Sequence, residues 1–79
     1  MDTTLKKVLA DVFGVRESDI LPETTKEDVG SWDSLKQMDL VLSLERAYNI
    51  TLDIQDIVAM QSVEAIVRVL KAKGVHLEE

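Results

Sequence analysis

The chain has 79 residues, 46% hydrophobic and 30% charged, with a formal net charge of −6 and no cysteine. That length supports one domain, read as residues 1–79, with a small core. The composition excludes a disulfide framework, a thiolate metal site and a membrane span, and the charge argues against nucleic acid and anionic membranes as partners.

In chain order, residues 4–13 read as an amphipathic helix. Leu5, Val8, Leu9, Val12 and Phe13 recur at helical spacing on one stripe. Asp2, Thr3 or Thr4 supplies a cap and Gly14 a left-handed stop. Residues 15–32 show no clear period, and Pro22 and Gly30 break any helix there. Loops this long are uncommon in compact domains unless functional. Ile20, Leu21, Val29 and Trp32 are expected to pin it across the bundle as an ordered crossover.

Residues 33–48 form the second helix, capped by Asp33 and stopped at Asn49, with Leu35, Met38, Val41, Leu42, Leu44, Glu45 and Tyr48 marking its faces. Residues 50–54 alternate like a strand, but a lone strand has nothing to pair with in so helical a chain. A short helical turn led by Asp53 or Asp56, ending near Gln61, fits better. The last helix spans residues 63–73, with Ser62 as cap, Lys71 and Lys73 at its negative end and Gly74 as its close. The fold class is therefore all-α: a four-helix bundle with three main helices, a short third one and a long ordered loop between the first two.

Charge is uneven. Residues 17–56 hold ten acids against three bases, a net of −7, whereas the rest of the chain carries +1. A solvated surface accounts for most asymmetries of this size, and a docking face for basic partners is the functional reading. Catalytic equipment is sparse. The single histidine, His76, lies in a tail expected to be mobile, no residue spacing supports a metal site, and three scattered glycines make no phosphate loop. The chain reads as a non-enzyme.

One local arrangement remains, Gly30-Ser31-Trp32-Asp33-Ser34-Leu35, which places Ser34 in the first turn of the second helix. A hydroxyl there is exposed, and the free amides and positive helix end favour an attached phosphate. By chance alone, Asp-Ser-Leu occurs in a few per cent of chains this long, by about average residue frequencies. The wider run from Asp33 to Glu45 resembles the acyl carrier protein family around its modified serine. The likeness extends through the order helix, long loop, Asp-Ser-Leu helix, short helix, final helix.

That resemblance implies 4′-phosphopantetheine, derived from coenzyme A, on Ser34, flanked by the motif residues Asp33 and Leu35. A phosphopantetheinyl transferase would attach it, bringing Mg²⁺ and the catalytic groups. Acyl, polyketide or aminoacyl groups would travel as thioesters on the arm. Acyl-loading and acyl-processing enzymes (an acyltransferase, ligase or synthase) would be the other partners of a cytoplasmic monomer. Met38, Asp39, Leu42 and Glu45 match partner-docking positions, although helix surface or core would explain them too. Leu52 and Met60 match positions near the arm and acyl chain, and core packing explains them equally well. Lys36 and Arg46 stand where fatty-acid carriers have acids, and residues 54–58 are less acidic than usual. With Trp32 before the motif, these departures imply a discrete specialised carrier. The competing reading is an unmodified helical protein–protein interaction domain of the same fold.

Overall fold

In the computed structural model, residues 1–78 are described. Four helices appear among them, α1 (Thr3–Phe13), α2 (Ser34–Tyr48), α3 (Ile54–Ala59) and α4 (Val63–Ala72), with no strand longer than an isolated bridge between Thr25 and Ser62. Each helix starts on a short polar side chain that accepts an otherwise free amide of the first turn. Asp2 accepts from Leu5, Asp33 from Lys36, Asp53 from Asp56 and Ser62 from Ala65. Gly14, at φ 66°, and Asn49, at φ 54°, supply the left-handed residues that stop α1 and α2. The final helix ends one residue before its expected close, with Lys73 as its C-cap and Gly74 next at φ 86°.

The core is aliphatic. Leu5, Leu9, Leu40, Leu44, Ile66 and Leu70 are fully buried in one cluster drawn from α1, α2 and α4. Two corrections to the sequence expectations concern the loops. The α1–α2 crossover contains two 3₁₀ turns, Glu17–Asp19 and Lys26–Asp28, each closed by a carboxylate accepting a backbone amide three residues back. Ile20 and Trp32 do pin the crossover to the core, and Val29 packs half-buried beside them. Leu21, by contrast, is half exposed, because the Thr24 hydroxyl takes the Leu21 amide in a tight turn at the surface. The tail is also held. Leu77 is buried, and the Glu78 amide donates to Asp2 Oδ2 at 3.0 Å, although His76 itself faces solvent.

Candidate functional site

Ser34 is the first residue of α2 and is exposed. Its position follows from Asp33, whose extended backbone turns the chain into the helix and whose carboxylate accepts the Lys36 amide at 2.9 Å. The Asp33 carbonyl takes the Gln37 amide at 2.8 Å. Asp33 thereby occupies the amides of Lys36 and Gln37 and leaves those of Ser34 and Leu35 facing the helix entrance. It is a cap, not a base aimed at Ser34.

The turn is held from the loop side as well. Ser31 Oγ donates to the Phe13 carbonyl at 2.8 Å, which fastens the approach to the end of α1. The Trp32 ring, 3% exposed, lies against Phe13 with centroids 4.6 Å apart. Trp32 Nε1 donates to Gln37 Oε1 at 2.6 Å. Gln37 Nε2 in turn donates to the carbonyls of Ile57 and Met60, at 2.9 and 3.2 Å. Gln37 is buried and was absent from the residues picked out in the sequence. Positions 37, 40, 41 and 44 share one helical face, the buried one, but a second apolar stripe on the same helix hides that choice from the sequence.

The other sequence-predicted positions divide between surface and core. Leu35 is 79% exposed, Met38 and Leu42 about half exposed, and Asp39 exposed. They lie on the outer side of α2, so core packing does not explain Leu35, Met38 or Leu42. Ile54, 77% exposed, and Val58 add apolar surface on α3. Glu45 is only half exposed, and its Oε2 accepts the Leu52 amide at 2.8 Å, bracing the α2–α3 loop. Leu52 and Met60 are buried members of the core cluster.

An exposed primary hydroxyl at a helix entrance, with open amides beside it and apolar side chains around it, fits a phosphodiester-linked arm. The hydroxyl has room to react, and the neighbouring carboxylate is committed to capping. The phosphopantetheine attachment site family matches residues 3–70. The chain belongs to that family. A curated acyl carrier protein of Desulforapulum autotrophicum is 30% identical over 75 residues, covering 94% of this chain and 97% of its own. The solution structure of holo acyl carrier protein from Geobacter metallireducens superposes with a TM-score of 0.78. That structure is 28% identical, and the match covers 87% of this chain and 79% of that one. Acyl carrier proteins are carriers, not enzymes, and their cofactor is covalently attached 4′-phosphopantetheine. Among the described residues, no helix is long and apolar enough to cross a membrane.

Proposed function

We propose that this carrier is loaded at Ser34 and ferries acyl, polyketide or aminoacyl intermediates between partner enzymes in fatty-acid-like or secondary-metabolite biosynthesis. The observation that carries the assignment is the placement of Ser34: exposed, first in α2, on a turn fixed by Asp33 from one side and by Ser31 and Trp32 from the other. In loading, Ser34 Oγ attacks the β-phosphate of coenzyme A and forms a phosphodiester to the arm. Adenosine 3′,5′-bisphosphate leaves, and the hydroxyl proton passes to a base on the transferase. Once attached, the arm supplies a thiol that holds cargo as a thioester. Because the chain has no cysteine, no side-chain thiol competes for that cargo.

The outer face of α2 is the natural docking surface. Leu35, Met38 and Leu42 supply apolar contact and Asp39 supplies charge, with Lys36 and Arg46 on the same helix breaking up the acidity. Glu45 contributes at the rim while it braces the loop. Such a mixed-charge face suits a dedicated partner set, consistent with a discrete, monomeric, cytoplasmic carrier of specialised metabolism. Extension by housekeeping fatty-acid elongation enzymes as fast as the cell's main carrier would contradict that subtype.

The attachment itself is tested with a phosphopantetheinyl transferase and a labelled coenzyme A, comparing the native chain with Ser34→Ala. Label should enter the native chain alone, with both circular dichroism spectra alike. Label in the variant would move the site elsewhere, and loss of its helical signal would make Ser34 structural.

A further inference from the structure

Ser34 sits where a helix is least secure. The first turn of α2 has few backbone bonds of its own, and helix ends fray. Attack on a phosphate needs the opposite, an oxygen held in one place. A misplacement of about 1 Å costs on the order of 100-fold in rate. Asp33 steadies the turn by accepting the Lys36 and Gln37 amides, but its carboxylate bond is exposed to water.

A second tie lies beneath the turn and out of water. Trp32 precedes Ser34 and Gln37 follows it by one helical turn; both side chains are buried, and their 2.6 Å bond spans the serine. Neither end of that bond is free to follow an unwinding turn. Trp32 is seated on Phe13, and Gln37 Nε2 donates to the carbonyls of Ile57 and Met60 at the end of α3. No buried side-chain nitrogen or oxygen is left unpaired among the described residues. Fraying of the turn would separate the indole from the Gln37 oxygen and strand buried polar groups, which is costly.

We propose that Trp32 and Gln37 are positioning residues for loading: their buried bond keeps the first turn of α2 wound and presents Ser34 Oγ in one orientation. The proposal rests on Ser34 being the loading site. The step served is attack of Oγ on the β-phosphate of coenzyme A, with adenosine 3′,5′-bisphosphate leaving and the hydroxyl proton passing to a base of the transferase. Both side chains are buried, so they act through Ser34 and not by touching the transferase. Docking belongs to Leu35, Met38, Asp39 and Leu42 on the outer face, which the bond does not hold. Loss of the bond should therefore slow the chemical step and leave transferase binding almost unchanged, whereas loss of a docking contact should do the reverse.

Single-turnover loading, followed by intact-protein mass with excess transferase, coenzyme A and Mg²⁺, separates the two effects. The native chain is compared with Trp32→Phe, Gln37→Leu and Asp2→Ala, each at a temperature where circular dichroism shows it folded. Asp2→Ala is the control, since it loosens the start of α1 and the contact with Tyr48 at the other end of α2. The maximal rate should fall by about tenfold or more in Trp32→Phe and Gln37→Leu, with half-saturation by transferase within about twofold of native. Asp2→Ala should load like the native chain. A native maximal rate in either folded network variant would overturn the proposal. So would an equal loss in Asp2→Ala, or a loss confined to half-saturation. Trp32→Phe decides alone if Gln37→Leu does not fold. Amide hydrogen exchange tests the native chain without any substitution: Gln37 and Met38 should be protected like Leu44 in mid-helix. Exchange more than about tenfold faster than that of Leu44 would reveal a fraying turn and overturn the proposal. A folded native chain that gains no mass would instead overturn the Ser34 reading, and the proposal with it.

Discussion

Trp32 Nε1 stands 2.6 Å from Gln37 Oε1, so two buried side chains that flank Ser34 in sequence meet beneath it. The bond converts the segment from 32 to 37 into a closed turn whose exposed part carries the hydroxyl. It also connects α1, through the Phe13–Trp32 ring contact, with the end of α3.

Trp32→Phe keeps an aromatic ring on Phe13 and deletes the donor, leaving the Gln37 oxygen buried without its partner. The smaller ring also leaves a cavity at this buried site, so a cost of about 2–4 kcal/mol is expected. Gln37→Ala strands the indole donor and opens a cavity as well, for about 2–4 kcal/mol. Urea unfolding followed by circular dichroism checks both. Equal midpoints for the two variants and the native chain would remove the network from any structural role.

Asp2 gathers three elements: its carboxylate accepts the Leu5 amide at the start of α1, the Glu78 amide of the tail and, at a long 3.5 Å, the Tyr48 hydroxyl. The Glu78 amide, then that of Leu5, holds the Asp2 carboxyl below its ordinary pKa. Lys73 does the same for Asp56, and Asp56 raises Lys73. For the two carboxyls, the stabilisation is complete above about pH 4 and is lost as pH falls through their depressed folded values. That of Lys73 is complete below about pH 10 and is lost as pH rises through its raised value. Asp2→Asn should flatten the acid limb of a stability–pH curve, and Asp2→Ala should cost about 1–2 kcal/mol at neutral pH. An unchanged acid limb in Asp2→Asn would contradict the role given to the cap.

Tyr48 is the sole tyrosine. Burial, reinforced by the Asp2 charge and hydroxyl contact, pushes its pKa up to about 12. Ultraviolet titration of the phenolate should find a midpoint near that value in the folded chain, falling in Asp2→Asn. A raised pKa for an acid that is neutral when folded stabilises the fold below about pH 10, and this contribution fades as pH climbs to the folded value. A native midpoint at the free-tyrosine value would mean that Tyr48 is open to water.

The docking charge proposed for Asp39 and the structural role of Glu45 can be told apart. Asp39→Lys reverses an exposed charge, so transferase loading should slow and depend less on salt while thermal stability stays put. Glu45→Lys also removes the acceptor of the Leu52 amide, so it should lose about 1–2 kcal/mol of stability as well. Glu45→Gln, which keeps an acceptor, should recover most of that. Thermal melts beside loading rates at two salt concentrations distinguish the effects. Matching melts for Asp39→Lys and Glu45→Lys would refute the bracing role.

The sequence reveals what is local. Asp33, Asp53 and Ser62 are legible as caps because the amides they serve lie three residues away. The exposed hydroxyl of Ser34 follows from the first of these. The faces of α2 are harder to assign, because the helix carries two apolar stripes. One, with Leu35, Met38 and Leu42, faces outward, and the other includes Leu40, Val41 and Leu44 and closes with polar Gln37. Counting apolar residues favours the first as readily as the second. Only the partners across the bundle, Trp32 and the end of α3, explain a buried glutamine. The tail's anchorage is hidden from the sequence for a related reason: the Glu78 amide meets Asp2 across 76 positions of sequence, and no local pattern marks such a tie.

The most direct measurement is intact-protein mass spectrometry after incubation with coenzyme A, Mg²⁺ and a broad-specificity phosphopantetheinyl transferase, followed by fragmentation to locate the modification. A gain of one phosphopantetheine, confined to the peptide bearing Ser34, is the predicted result. A folded chain that gains no mass with two different transferases would contradict it and leave an unmodified interaction domain.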